Sequence, residues 1–368
     1  MATNASSLVN FGTTGPAVGE FIYAIGPRSA PSFLPADSYV NRYLVSAYPA
    51  LGALIVPVIT PVNYAATART LPSSSNWFSV TYGNGVFVAV AQSSTAAATS
   101  PDGITWTART LPSSSSWVAV AYGNGTFVAI TGLGISTTVA ASSADGITWT
   151  ARTLPSSSDW RNITYGNGLF VAVGVNVCAT SPDGITWTSR TIPAFGYSSV
   201  VYGNGVFVAV TRGASTAATS PDGITWTARA LPSTGFWDSV TFGNGVFVTI
   251  NENSVQAATS TNGIDWTSRT LPSTSNWIYV AYGNNSFLTI AYGTPSTAAT
   301  SSDGVTWTTR TLSSASWNSL VFGASKFVTV ATGPSTIAAT IDYAVNATDF
   351  TIPVIAPITG TTAYVKAT

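Results

Sequence analysis

The chain is expected to fold as an all-β, seven-bladed β-propeller of four-stranded blades, and three observations predict it. A motif of about forty residues recurs seven times through the middle of the sequence. Each copy holds short β-rich segments separated by turn signals, and an unmatched copy of the last segment stands ahead of the first motif.

The units open with Trp77, Trp117, Trp160, Tyr197, Trp237, Trp277 and Trp317, spaced 40, 43, 37, 40, 40 and 40 residues apart. In the first unit, residues 77–82 alternate large apolar with small side chains, Gly83-Asn84-Gly85 follows, and residues 86–90 are β-rich. Asn-Gly is a strong hairpin signal, because both central positions of a type I′ turn need positive φ. It recurs at Asn124-Gly125, Asn167-Gly168, Asn204-Gly205 and Asn244-Gly245, so the first two strands of a unit should pair directly.

A short third strand (residues 97–99) precedes Ser100-Pro101-Asp102-Gly103-Ile104-Thr105-Trp106, and a fourth strand ends at Arg109. Copies of this segment end in Trp149, Trp187, Trp226, Trp266 and Trp307, giving six for seven units. In the last unit Ile341-Asp342-Tyr343 takes its place, while Tyr64-Ala65-Ala66-Thr67-Ala68-Arg69 matches residues 104–109. This N-terminal strand is expected to complete the last blade, closing the ring and removing an exposed sheet edge.

Composition narrows the function classes. Of 368 residues 45% are hydrophobic and only 7% charged, and 13 basic residues balance 13 acidic ones. Without a basic surface, neither nucleic acid nor an anionic bilayer is an expected partner. Cys178 is the single cysteine and histidine is absent, which excludes disulfide frameworks, most zinc sites and every histidine-dependent triad. The longest apolar run, residues 51–62, carries Pro57 and Pro61, so no membrane insertion or secretion signal is expected.

The repeated polar residues have structural explanations. Arg69, Arg109, Arg152, Arg190, Arg229, Arg269 and Arg310 share one outer-strand position, where each should lie along a neighbouring blade or satisfy backbone carbonyls. Asp102, Asp145, Asp183, Asp222 and Asp303 should accept N–H bonds within their own turns, a role compatible with Asn262 in the fifth copy. Trp106, Trp149, Trp187, Trp226, Trp266 and Trp307 are assigned to packing, and Cys178 to an inert buried thiol. No metal or cofactor is expected.

Ser-Pro-Asp-Gly-Ile-Thr-Trp resembles the Asp-box of sialidase-like propellers, one residue shorter between Asp and Gly than usual in that family. The resemblance implies the propeller fold and a turn between the third and fourth strands. Around it, Gly19-Glu20-Phe21-Ile22-Tyr23, Phe33-Leu34-Pro35-Ala36-Asp37-Ser38 and Ser46-Ala47-Tyr48-Pro49-Ala50-Leu51 resemble the start of collar-type modules in bacteriophage tail fibres and tail tips. Asp349-Phe350-Thr351-Ile352-Pro353 and Ala363-Tyr364-Val365-Lys366-Ala367 resemble the end of such a module. The expected organisation is a base domain split into residues 1–62 and 344–368, with the propeller, residues 63–343, inserted between its halves. Fibre proteins with such flanks commonly form trimers, so a homotrimer is an expectation carried by the resemblance.

Strand order places the Asn-Gly turns and boxes on one face, and the loops between second and third strands with the Leu-Pro-Ser links on the other. The second face varies between units, and charges that break the repeat gather there: Asp159, Arg161, Arg212, Asp238 and Glu252. Phe195, Phe236 and Asn253 come from the same loops, so these eight residues form a candidate saccharide site. Catalysis is not expected: only Glu20 and Glu252 are glutamates, and no arginine trio stands outside the repeat. Asp238 and Glu252 are the nearest approach to a glycosidase carboxylate pair. The expected function is a virion protein of a phage tail fibre or tip that docks to other tail proteins through its base and binds a host surface glycan. The alternatives are a structural or decoration protein of the virion, and a degenerate glycoside hydrolase.

Overall fold

The computed structural model describes residues 22–25, 63–293, 297–344 and 361–364. Every regular element among them is a strand. The chain divides into two units, Asn63–Ala344 and the flanks that precede and follow it. In the flanking unit, Ile22–Ile25 pairs antiparallel with Thr361–Tyr364, with Tyr23 opposite Ala363. The resemblances at residues 33–38, 46–51 and 349–353 lie outside the described residues.

The larger unit is a series of antiparallel four-stranded repeats. In the second, Trp117–Gly123, Thr126–Thr131, Thr137–Ser143 and Thr150–Ser158 pair in chain order. The third (Trp160–Gly166 onward) and sixth (Trp277–Gly283 onward) likewise form separate four-stranded sheets. The fourth and fifth units share one sheet, because Thr227–Gly243 runs unbroken from the last strand of one into the first strand of the next.

The strand Asn63–Gly83 makes the same transition between the last unit and the first. Its residues 63–70 pair with Ser335–Ala344, while residues 76–83 pair with Val86–Gln92. Arg69 stands opposite Ala338, as Arg109 stands opposite Ala97 within the first unit. The N-terminal strand therefore occupies the fourth-strand position of the last repeat.

Both residues of each Asn-Gly turn have positive φ, for example Asn84 at 48° and Gly85 at 76°. The sixth and seventh units keep this geometry with Asn284-Asn285 and Ala324-Ser325, although side chains with a Cβ are disfavoured there. Before each turn stands a glycine seated on an aromatic ring of the next unit. A Cβ on Gly243 would lie 1.9 Å from Tyr282 Cγ, and Gly323 of the last unit sits in the same way against Tyr82 of the first.

The core lies between successive sheets. Phe87, Val88, Ala89 and Val90 of the second strand are fully buried, because this strand is covered on both faces, which gives its near-continuous apolar run. Val88, Val90 and Ala97 of the first unit pack with Trp117, Val120 and Phe127 of the second. Trp77 and Phe87 pack in turn with Val328 and Val330 of the last. Side chains two residues beyond the opening aromatic join units by hydrogen bonds: Val120 N–H donates to Ser79 Oγ at 3.2 Å and Val80 N–H to Ser319 Oγ at 3.1 Å.

The strand bounds differ from expectation at the unit's outer edge. The third strand is Ser94–Ser100, and the fourth is Thr107–Ser115, continuing through Leu111-Pro112 instead of ending at Arg109. Leu111 is buried and Trp117 Nε1 donates to Ser113 C=O at 3.1 Å, so the link is held extended. A proline is compatible with that position because an outermost strand needs no donor on its free side.

Candidate functional site

The Asp102 turn is closed by its own side chains. Ile104 and Thr105 N–H donate to Asp102 Oδ1 at 2.8 and 3.0 Å, as does Ser100 Oγ at 3.0 Å. Gly103 N–H donates to Ser100 Oγ at 2.8 Å, and Trp106 Nε1 donates to Gly103 C=O. The Ile104 and Thr105 bonds hold the carboxyl below its ordinary range. Asp145, Asp183, Asp222 and Asp303 accept the same pair of N–H bonds, and Asn262 Oδ1 accepts them in the fifth unit. Trp106, Trp149, Trp187 and Trp307 are buried, while Trp226 and Trp266 are half-buried.

At the outer-strand arginines the Nε bonds a side-chain hydroxyl where a backbone carbonyl was expected. Arg109 Nε donates to Thr99 Oγ1 at 3.0 Å, and the other six make the matching bond to a Ser or Thr on the adjacent strand. A hydroxyl on the third strand lies within easier reach than a carbonyl already engaged in the ladder. Burial pushes the Cys178 thiol up to about 12, which leaves it protonated at neutral pH. Among the described residues no group of three or more His, Cys, Asp or Glu could hold a metal, and no helix is long and apolar enough to cross a membrane.

The other end of the unit is different. Three positions there depart from the repeat: the residue before the opening aromatic, the residue after it, and Gly132, which follows the second strand Thr126–Thr131, with its counterparts in the other units. The backbone treats them alike, since the N–H at the third position donates to the carbonyl of the residue before the aromatic. These bonds run from Gly132 to Ser116, Val175 to Asp159, Arg212 to Gly196, Glu252 to Phe236, Tyr292 to Asn276 and Thr332 to Ser316, at 2.8–3.0 Å.

The seven residues following the opening aromatics are Phe78, Val118, Arg161, Ser198, Asp238, Ile278 and Asn318, and all line one cavity of about 370 Å³. Arg212, Glu252, Asn276, Tyr279 and Tyr292 share the lining. Because each repeat delivers one such side chain, a single cavity gathers seven positions from across the sequence.

Its electrostatics centre on Arg212. The Nε donates to Asp238 Oδ1 at 2.9 Å, Nη2 donates to Glu252 Oε2, and the guanidinium lies 4.8 Å from the centroid of the Phe236 ring. Burial, with Glu252 beside it, pushes the Asp238 carboxyl up to about 7 against the opposing pull of Arg212. Arg161 Nη2 donates to Asp159 Oδ2 at 2.6 Å, and Asp159 Oδ1 accepts the Gly134 N–H at 2.9 Å. Asp159 therefore fixes Arg161 and the loop of the preceding unit together.

Of the eight candidate residues, Arg161, Arg212, Asp238 and Glu252 line the cavity. Asp159 stands behind Arg161, and Phe236 covers Arg212. Phe195 is 63% exposed and outside the lining, and Asn253 is an exposed turn residue at φ 55°. A loop aromatic and a turn asparagine share the face without reaching its centre. Sequence reasoning passed over Phe78, Asn276, Tyr279, Tyr292 and Asn318 because it followed charge. Comparing the residue after each opening aromatic across units would have found Phe78 and Asn318.

No family model matches the chain, and no curated protein matches it. Solved structures do. A streptogramin B lyase structure is 12% identical with a TM-score of 0.67, over 75% of this chain and 96% of the other. A catalytically inactive His-to-Ala variant of virginiamycin B lyase from Staphylococcus aureus with Quinupristin gives 12%, 0.65, 75% and 99%. YCF48 from Cyanidioschyzon merolae gives 15%, 0.59, 76% and 98%. At these identities the likeness shows the fold: the larger unit is a β-propeller. Its neighbours include enzymes, so the fold is compatible with either catalysis or binding alone.

Proposed function

We propose that the chain is a bacteriophage tail-fibre or tail-tip protein whose propeller binds a host surface glycan in this cavity. The observation that carries the binding reading is the contrast within one repeat. Seven copies keep their turns and cores, yet present seven side chains of seven different residue types at the cavity position. A pocket with aromatic walls and a few convergent polar groups suits a small polyhydroxyl ligand.

The finer architecture belongs to the same proposal. A closed ring of seven Asp-box blades is supported by the pairing of residues 63–70 with the last unit and by Gly323 against Tyr82. The split base domain, docking to other tail proteins and forming a trimer, is supported by the flank motifs and by the pairing of Ile22–Ile25 with Thr361–Tyr364.

The test is binding of the full-length protein to a glycan array and to whole candidate host cells, with Arg161→Ala and Asp238→Asn alongside. The proposal expects binding that either substitution reduces by about tenfold or more. No binding to any glycan or cell would favour a spacer or cover on the particle. One observation favours a hydrolase as second reading: Asp238, held near 7, lines the cavity with Glu252. The lyase's inactivating histidine change has no counterpart in a chain without histidine. Turnover of a bound glycan that Asp238→Asn abolishes would support the hydrolase.

A further inference from the structure

Whenever Asp238 is ionised, the cavity's charges do not balance. Arg161 is matched by Asp159, which leaves the single positive charge of Arg212 facing two carboxylates, Asp238 and Glu252. Both carboxylates have little solvent access, with side-chain exposures of 15% and 11%. Such groups are costly without a counter-charge. Among the described lining residues there is no further cation.

Two polar atoms of the same lining also lack partners. Asn276 Oδ1 is a buried acceptor and Arg161 Nε a buried donor, each without a hydrogen bond. Buried polar atoms are rarely left so, and the pair asks for a ligand with donors on one side and acceptors on the other. Phe78, Tyr279 and Tyr292 complete the wall with aromatic rings, a surrounding that favours cations.

We propose that the cavity selects an ammonium-bearing saccharide, with the amine between Asp238 and Glu252 and a hydroxyl accepting from Arg161. This rests on the glycan-binding reading and narrows it to an amino sugar. The ammonium supplies the missing positive charge and a donor for Asn276, and the ring hydroxyls supply the acceptor. An acidic sugar would meet like charge, and a neutral one would leave Asp238 either protonated or without a counter-charge.

The experiment is calorimetric titration of the full-length protein near neutral pH with D-glucosamine, N-acetyl-D-glucosamine and D-glucose. Glucosamine should bind about tenfold or more tighter than the other two. That preference should shrink toward parity in Glu252→Gln and in Asp238→Asn, which keep size while removing charge. Thermal midpoints check that each variant folds, and either one alone carries the test if the other does not. Equal affinity for all three sugars, or preference for the acetylated one, overturns the ammonium assignment and leaves glycan binding standing. Failure of glucosamine while other glycans bind on the array overturns it too. Silence on array and cells as well overturns the underlying reading.

Discussion

At the Ser-Pro-Asp-Gly turn, one end of the repeat spends its polar atoms on itself: a carboxylate accepts two N–H groups of its own loop, and asparagine serves equally well in the fifth unit. At the cavity end, Arg212 of the fourth unit reaches Asp238 and Glu252 of the fifth, and Asp159 of the third fixes a loop of the second. The first arrangement is local and can be copied. The second joins different units, so each side chain is set by its neighbours across the cavity. Repetition therefore marks where the sequence builds the scaffold, and departure from it marks where units act together.

The largest test of this contrast lies between units on the repeated end. Gly243→Ala puts a Cβ 1.9 Å from Tyr282 Cγ in a packed contact, and overpacking of this kind costs about 3 kcal/mol. A clear fall in thermal midpoint is expected. An unchanged midpoint would show that the sheets can separate slightly and that this seating is not what spaces them.

A middle-sized effect distinguishes the two ends by pH. Asp238 has a folded pKa raised to about 7, so the folded state binds its proton more tightly than the unfolded state. Stability from this group is complete below about pH 4 and is lost as pH rises through about 7. Asp238→Asn should abolish that decline, a gain on the order of 2 kcal/mol at pH 8 after allowing for the partial solvent access of the site. The box aspartates slope the other way. Their lowered folded pKa values give stability that is present above about pH 4 and lost as pH falls further. Thermal midpoints of wild type and variant across pH 3 to 9 would check both slopes.

The smallest effect compares two substitutions at one turn. Asp102→Ala leaves the Ile104 and Thr105 N–H groups without their acceptor and should cost about 1 kcal/mol, whereas Asp102→Asn keeps the acceptor, loses only the charge and should cost less than the alanine. Equal losses in denaturant midpoint would mean that the charge, and not the acceptor oxygen, closes the turn.

Much of the scaffold was legible in the sequence because its determinants are local. Asn-Gly fixes a hairpin through backbone φ, alternation fixes a strand's faces, and the match of residues 64–69 to 104–109 marks the N-terminal strand as a fourth strand. The Ala324-Ser325 turn was not legible, since nothing in that dipeptide prefers positive φ; the flanking strands impose it. The link after Arg109 was equally hidden, because Leu111 is held extended by burial.

The site was legible by halves. Charges breaking a repeat are visible in one dimension, and four of the eight candidate residues do line the cavity. Phe195 and Asn253 were grouped with them by loop membership, which does not say whether a side chain reaches the cavity. By itself the sequence determined the unit, its strands and turns, and which positions escape the repeat, all of which depend on contacts within one copy. Only the tertiary structure decided that Arg212 would stand against both Asp238 and Glu252, and that Asn276 and Tyr292 would join them, because those contacts exist only once separate units are packed side by side.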